Sequence, residues 1–465
     1  MLDLVLLEAH AAELRSLLAT PDGAEAAAYL LLGRAEIGSD PWSGRRRHRM
    51  VSHRAVPVPE EDKVSASGLH VTWSTRSFVR LLKAAEEQGL TLAIVHTHPG
   101  SHAFFSDQDD ANERDLLRIV GNRSGAGHGF ASVVLGGDGS VCARRWTAPA
   151  TAEPCERVAV VGRGIRLHGL AGGDGDPLLD RQARLFGPTF NGLVRALKVG
   201  VVGCGGTGSP TALLLARLGI GHVLLVDDDV VELTNLNRVH GSRRTDVEGR
   251  VPKVEVLRRE IEAAGLGVEV TTFKGWVGDA AARDALRSCD VVFGCTDDHD
   301  GRLFLNRLAY FYGIPVIDMG LRIMPARDGR PYEMAGRVTL AGPGAPCLMC
   351  RGLVDPRRAM EEALRRTDPA AYEARKAEAY VLGGGDPAPA VVTFTTETAC
   401  MAVNELLQAL TGFRGDGGMR TGRQRRFDAV EDRATTCTPR AGCEVCAGTG
   451  LWGRGDVLPF LYRAG

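Results

Sequence analysis

The stretch Val199-Gly200-Val201-Val202-Gly203-Cys204-Gly205-Gly206-Thr207-Gly208-Ser209-Pro210, followed by His222-Val223-Leu224-Leu225-Val226-Asp227, decides the fold of most of the chain. Residues 199–202 are a short β-branched run that reads as a buried strand. Gly203, Gly205, Gly206 and Gly208 then form a tight turn, and 211–218 reads as a helix. Unpaired backbone N–H groups and the positive dipole end meet at that helix N-terminus, and glycines let the backbone approach, so a phosphate fits there. A second apolar strand, 222–226, ends in Asp227, whose carboxylate can accept hydrogen bonds from ribose hydroxyls. This is the order of a doubly wound α/β nucleotide fold, and by itself it suits NAD as well as ATP.

The chain has 465 residues, 44% of them hydrophobic, enough for two or three domains with full cores. Net charge is −1, and the one basic run, Arg45-Arg46-Arg47-His48-Arg49, reads as a solvated loop, so no nucleic-acid partner is expected. No apolar run reaches the roughly 20 residues needed to span a bilayer. Residues 1–19 carry Asp3 and Glu8 and no basic leader, unlike a signal peptide. A cytoplasmic protein with no membrane partner is expected. Eleven cysteines, an odd number, argue for metal or thiol chemistry over a disulfide framework.

Working outward from the turn, Arg181-Gln182 precedes it, and Asn235-Leu236-Asn237-Arg238 and Pro252-Lys253 follow. An apolar strand at 291–294 then runs into Cys295-Thr296-Asp297-Asp298-His299-Asp300-Gly301-Arg302. A carboxylate attacking an α-phosphate needs cations to neutralise charge and a metal on the phosphates. A dehydrogenase has no need of a cation cluster at this place. The set resembles the ThiF/MoeB and ubiquitin-activating adenylyltransferases, which join ATP to a C-terminal glycine carboxylate and release pyrophosphate. The resemblance implies that ATP with Mg²⁺ is bound by the glycine turn, that Asp227 holds ribose, and that Asn235, Arg238 and Lys253 contact the phosphates. It also implies that Asp297 holds Mg²⁺, and that Arg181 reaches into the partner subunit's site of a homodimer.

Cys347-Leu348-Met349-Cys350 and Cys443-Glu444-Val445-Cys446 are two Cys-x-x-Cys pairs whose four thiolates can close a water-free tetrahedral zinc site. The same two pairs occur in that family, which implies a structural zinc. Many relatives carry a further cysteine between the pairs to form a thioester or persulfide. Residues 351–396 hold none; they read as helical and charged over 355–380, then as Gly383-Gly384-Gly385-Asp386-Pro387. Cys400 reads as a core residue on a helix over 398–410, Cys437 as exposed near the zinc pair, and Cys204 as small packing in the turn. The expectation is therefore an acyl-adenylate handed to a thiol-bearing carrier or conjugating protein.

Upstream, an expected strand over 91–95 runs into His96-Thr97-His98, followed by Ser106 and Asp109. Two histidines one residue apart at a strand end point to the same side. Asp109 can complete a three-ligand set that leaves zinc an open position for water, and Ser106 fits a helix cap or a donor to an oxyanion. With a helix over 109–120 and a strand over 129–135, this spacing resembles the JAMM motif of the JAB/MPN metalloproteases, which cleave ubiquitin and ubiquitin-like proteins. The resemblance implies a catalytic zinc on His96, His98 and Asp109, Ser106 steadying the tetrahedral intermediate, and a glutamate ahead of an early strand as general base. Glu25, before the apolar run 26–32 and Gly33, is the candidate, one residue farther from the glycine than the commonest spacing. A one-residue slip reverses the face of a strand, so either a bulge absorbs the difference or Glu25 is not the base. His102 reads as a solvated loop residue.

The expected fold is α/β throughout: a JAB/MPN-like mixed α/β domain over 1–146, a linker over 147–177 with a short strand at 158–161, a Rossmann-like doubly wound adenylation domain with a zinc knot over 178–450, and a tail over 451–465. The function expected is processing or removal of a ubiquitin-like protein coupled to adenylation of a ubiquitin-like C-terminal glycine. Such a fusion resembles bacterial ubiquitin-like conjugation, sulfur-carrier or antiphage systems. The alternatives are adenylation of a small peptide or amino-acid carboxylate with the first domain as a binding scaffold, and, more generically, a nicotinamide oxidoreductase.

Overall fold

The computed structural model describes residues 1–457 except 22, 67–70, 126, 148–150, 171–175, 326–331, 378–388 and 416. The glycine–proline run from Gly383, the tail beyond 457 and parts of the expected linker lie outside the described residues.

The first sheet has nine strands in the order Ile165–His168, Arg157–Val161, Leu2–Leu7, Arg47–Pro57, Ala27–Ile37, Thr91–His98, Gly129–Gly136, Val141–Thr147 and Thr151–Pro154. Alternation along the strands sends Leu4, Leu6, Met50 and Val133 toward the helix Glu8–Leu17, and Tyr29, Leu31 and Ile94 toward the helices Thr75–Glu87 and Asp107–Ser124. The last helix starts where it does because Ser106 and Asp109 cap each other's backbone N–H groups, an arrangement that contributes about 1 kcal/mol.

The second sheet has eight strands. Its parallel part runs Glu269–Phe273, His222–Val226, Lys198–Val202, Val291–Gly294, Val316–Pro325, the 3-2-1-4-5 order of a Rossmann sheet. Tyr332–Ala341, Gly422–Arg426 and Glu431–Ala434 extend it antiparallel, and the helix Val392–Thr411 covers one face of that extension through Ala402 and Leu406 on Met319 and Val338. No helix among the described residues is long and apolar enough to cross a membrane.

The segment 147–177, expected as a linker with one short strand at 158–161, supplies three strands to the first sheet, that one among them. Arg157–Val161 lies parallel to Leu2–Leu7, with Leu4 opposite Val158 and Leu6 opposite Val160. It is buried throughout, so it lacks the alternation that marks a strand in sequence. Its far face belongs to a core that both sheets share: Val5, Leu7, Val51 and Val161 pack with Phe304, Leu308, Tyr310 and Ile314.

The basic run at 45–49 also departs from its expected place in a solvated loop. Arg47 and Arg49 open the strand Arg47–Pro57 and are almost wholly buried. Arg47 binds Asp3 at 2.5 Å and Asp40 at 2.9 Å. Asp40 also takes the ammonium of Lys198 at 2.9 Å, and the fully buried Asp290 takes Arg49 at 3.3 Å together with Arg157. Arg47 and Arg49 fold inward because three aspartates from both parts of the chain neutralise them, while Arg45 and Arg46 stay exposed as expected. Breaking such a network strands a buried charge, so Asp290→Ala is expected to lower unfolding stability by about 3–5 kcal/mol, read from urea denaturation. A loss below about 1 kcal/mol would show that the network is solvated.

The described end of the tail is part of the same interface. Gly453 donates its N–H to the carbonyl of Tyr310 and its own carbonyl crosses Gly33, where a Cβ would come within 2.0 Å of it. Asp456 accepts from the N–H of Glu36 at 2.7 Å, Arg287 at 2.6 Å and the hydroxyl of Tyr312 at 2.7 Å. The tail therefore straps the second sheet's helices to the first sheet.

Candidate functional site

The strand Thr91–His98 ends with both histidine rings on one face. Asp109, one turn into the capped helix Asp107–Ser124, faces them: His96 Nε2 stands 3.2 Å from Asp109 Oδ1, and His98 Nε2 stands 3.8 Å from Asp109 Oδ2. One ligand atom from each of the three residues lies within 4.8 Å of the others. His96 Nε2 is buried with no hydrogen-bond partner, so a buried nitrogen faces a carboxylate oxygen with room for an ion between the three donors. Burial and the neighbouring His96 push His98 toward its neutral, metal-binding form. Burial raises the Asp109 carboxyl, but His96 and Ser106 outweigh it and hold it well below the usual carboxylate range. Ser106 Oγ donates to Asp109 Oδ2 at 2.7 Å, so it orients that carboxylate as well as lining the cleft.

Glu25 lines the same cleft, with Oε1 at 3.8 Å from His98 Nε2. The strand Ala27–Ile37 pairs with Thr91–His98 without a break from Ala27 opposite His96 to Leu32 opposite Thr91, and just ahead of it Thr97 donates its N–H to the carbonyl of Ala26 at 3.1 Å. Alternation from Ala27 places Glu25 on the face of His96 and His98. The irregularity is on the neighbouring strand: Leu31 pairs with Arg54 and Leu32 with Ser52, leaving His53 to meet the carbonyl of Trp452 at 2.7 Å. His102 is exposed beside Phe104.

Glu113 and Trp73 are among the cleft residues that escape the sequence reading. Glu113 is fully buried, its carboxyl raised chiefly by burial against the pull of Arg144, which donates to it at 2.7 Å. Its place four residues after Asp109 on one helix face was the available signal. Trp73 reaches the cleft from the hairpin strand Val71–Trp73, a placement with no local signature.

In the second sheet, Gly203 leaves the strand Lys198–Val202 with φ +89°, and a Cβ there would meet the backbone of Cys295 at 2.8 Å. The turn thus lies between the two strands where the order reverses, the crevice in which doubly wound sheets bind ligands. At Gly208 a Cβ would lie 1.7 Å from the carbonyl of Gly203, so the start of the helix Gly208–Leu218 folds back on the turn. Gly205 opens to free space, and Gly206 faces Thr395 and the side chain of Arg238. Asp227 knits the turn by accepting the N–H of Cys204 at 2.6 Å and of Asp229 at 2.9 Å; burial raises its carboxyl, against the pull of Lys253. Burial opposes the charge on Lys253, but Asp227 and Asp229 hold it protonated, with Asp229 at 2.6 Å. Asn235 is buried and its amide oxygen accepts from the N–H of Glu232 at 3.0 Å. Arg238 donates to the carbonyl of Thr234 and to Asn237 at 3.4 Å. Asp297 is exposed at the end of Val291–Gly294, and its carboxylate has no partner among the described residues, whereas Asp298 is spent capping the helix His299–Tyr312. Arg181 stands apart, exposed on the helix Asp180–Phe186 with no ion pair among the described residues.

The four cysteines converge, with sulfur separations of 3.7 Å for Cys347–Cys443, 3.6 Å for Cys350–Cys446 and 3.7 Å for Cys443–Cys446. A tetrahedron with metal–sulfur bonds of about 2.3 Å has edges of about 3.8 Å, so the spacing fits a structural zinc. Burial opposes ionisation of Cys443, but the N–H groups of Cys446 and Val445 outweigh it and bring the thiol down to about 6. Cys400 sits on the helix Val392–Thr411, its thiol raised by burial, and Cys437 Sγ lies 3.7 Å from the carbonyl of Cys350.

Residues 179–446 match the model of the ThiF family, and residues 7–148 match that of prokaryotic homologs of the JAB domain. The SAMP-activating enzyme E1 of Haloferax volcanii is 32% identical over 37% of this chain and 61% of its own length. The sulfur carrier protein ThiS adenylyltransferase of Escherichia coli is 32% identical over 25% of this chain and 46% of its own. The chain thus spans about three fifths or less of these curated relatives. A crystal structure of E. coli MccB with ATP superposes with a TM-score of 0.44 at 18% identity, covering 60% of this chain and 76% of that one. The match over more than half its length places the chain in the ThiF family, with a prokaryotic JAB-type domain fused ahead of the adenylyltransferase-type fold.

Proposed function

We propose that the second domain uses ATP and Mg²⁺ to adenylate the C-terminal glycine of a small ubiquitin-like protein, and that the first domain is a zinc peptidase that exposes or releases such a C-terminus. The observation that carries the reading is the gathering of Arg238 on Gly206 and of Lys253 on Asp227 and Asp229, a cation set around a phosphate-ready turn. In this reading Asp227 fixes the nucleoside end, Asn235 contacts the phosphates, Arg238 and Lys253 take charge from them, and Asp297 is the carboxylate left open for Mg²⁺. The names of the relatives, activators of SAMP and of ThiS, support a protein rather than an amino acid as the carboxylate source.

In the first domain His96, His98 and Asp109 would hold zinc, which supplies Lewis acidity toward a carbonyl oxygen. Glu25, beside His98, takes the proton of the attacking water, and Ser106 steadies both Asp109 and the developing oxyanion. Arg181, exposed and with no ion pair among the described residues, would complete the site of a second subunit in a homodimer. With Cys400 half-buried on its helix and no cysteine at 351–396, the adenylate goes to a thiol-bearing partner protein.

ATP–pyrophosphate exchange tests the reading. It is expected to be stimulated by a ubiquitin-like protein ending in glycine and not by free amino acids or short peptides at equal concentration. Equal stimulation by free peptides would favour a small carboxylate as substrate, with the first domain a scaffold, and NADH binding without ATP binding would end the adenylation reading altogether.

A further inference from the structure

The clustered donors of the first domain come from two elements: His96 and His98 from the strand Thr91–His98, and Asp109 from the helix Asp107–Ser124. Strand and helix must keep one register for the three to meet on an ion. The apolar anchors of that helix, Leu117 and Val120, lie two turns or more beyond Asp109, while Asp107 and Gln108 next to it are exposed. The Ser106–Asp109 capping box fixes the carboxylate within the helix, but it does not fix the first turn against the sheet.

Arg144 supplies that tie. It lies on the strand Val141–Thr147, opposite Ser132, which in turn lies opposite Ile94; the next row on the same face is Cys142, Val134 and His96. From this place, one row from a histidine ligand, the buried guanidinium reaches the helix. Nη1 donates to Asp110 Oδ1 at 2.5 Å and Nε to Glu113 Oε2 at 2.7 Å, and the Phe105 ring covers the guanidinium plane with its centroid 3.8 Å from Cζ. With Ser106 as the cap, Phe105 is the residue before it and Asp110 the fourth of the helix. In many helices these two positions carry apolar side chains that pack together and set the angle at which the chain enters. A ring and a carboxylate do not attract each other, so here Arg144 lies between them, held by the ring's face on one side and a charge-assisted hydrogen bond on the other. The capping box that contains Asp109 is closed by this bridge.

We propose that Arg144 is a positioning residue of the metal site, keeping Asp109 in coordinating register with His96 and His98 by clamping the first turn of its helix through Phe105 and Asp110. The inference rests on the reading of these three residues as a zinc site. Arg144 does not line the cleft, so it acts through the ligand and not on a substrate. Lysine cannot replace it, because an ammonium has neither a plane to lie under the ring nor a fork to span two carboxylates.

The test is zinc affinity of the full chain, read by competition with a chromophoric chelator. The titration step that disappears in His96→Ala belongs to the histidine site, and the four-cysteine site is the internal reference. Arg144→Lys, which keeps the buried charge, is expected to weaken the histidine-site step by about 10–100-fold, the range for losing a residue that orients a metal ligand, with the reference step unchanged. Asp110→Asn, which leaves Arg144 paired with Glu113, is the milder variant, with an expected loss of about tenfold. Leu117→Ala loosens the same helix at its apolar anchor and is expected to lower the melting temperature yet hold zinc as the wild type does. With Co²⁺ at the histidine site, Arg144→Lys is expected to change the visible d–d bands, and Leu117→Ala to leave them as they are. Affinity within about threefold of wild type in both Arg144→Lys and Asp110→Asn, or an equal loss in Leu117→Ala, overturns the inference. Absence of any step sensitive to His96→Ala in the wild type would overturn the zinc reading and the inference together. The expected losses in a chain that cleaves no amide at a C-terminal glycine would keep Arg144 in this role and remove the peptidase reading.

Discussion

Glu25→Gln is expected to slow hydrolysis of an amide at the C-terminal glycine of a ubiquitin-like protein by roughly 10²–10⁴-fold, the range for loss of a general base. Zinc content, measured on the same preparation, is expected to stay at the wild-type value. The geometry separates the two outcomes. Glu25 faces His98 at 3.8 Å but lies outside the His96, His98 and Asp109 set whose donor atoms cluster, so the amide removes a proton acceptor and leaves the three ligands in place. Glutamine also keeps the volume of a side chain that is mostly buried, which limits any packing loss. Hydrolysis within a few fold of wild type would move the base elsewhere in the cleft, and Glu113 would be the next carboxylate to replace. Loss of zinc together with activity would make Glu25 a ligand instead.

Arg238→Ala is expected to lower kcat/KM for pyrophosphate exchange by roughly 10²–10³-fold, the scale for removing one cation or donor from a transition-state clamp. This position is more informative than Lys253. Removing Lys253 would leave the buried Asp227 and the neighbouring Asp229 uncompensated, so fold and chemistry would suffer together. Arg238 contacts a carbonyl and an amide oxygen and no carboxylate, and its stem rests on Gly206. Its loss therefore strands no charge, and stability is expected to change by about 0.5 kcal/mol or less. Exchange at the wild-type rate would place the phosphates away from Gly206.

What the sequence revealed was local. His96 and His98 share a face because they are two apart on a strand, Ser106 and Asp109 meet because a helix cap spans three residues, and the glycine turn carries its own conformational demand at Gly203. What it hid was the pairing of distant segments. The strand Arg157–Val161, legible as a short apolar run, finds Leu2–Leu7 across most of the first domain, and nothing local showed that partner, so its segment read as a linker. Arg47 and Arg49 read as solvated because their neutralising partners, Asp3, Asp40 and Asp290, come from three separate parts of the chain. The place of Glu25 turned on strand register: counting along its own strand could not show which face it takes, whereas the unbroken pairing with Thr91–His98 does. Trp73, Thr395 and Arg144 reach their sites by the same long-range route.

The strand pairing of the segment expected to be a linker, and the strap formed by 451–457, bear on how two chemistries on one chain would cooperate. A flexible connection would let one domain carry a captured C-terminus to the other, and the second encounter would become intramolecular with a high effective concentration. Here part of the connecting segment is sheet, and a common core joins the domains. A tail freed at the zinc cleft must then leave and be recaptured, so the two steps would draw on one dissolved pool of the small protein. Diluting that pool would slow them as separate bimolecular reactions, and a competitor tail added in excess would intercept the product between them.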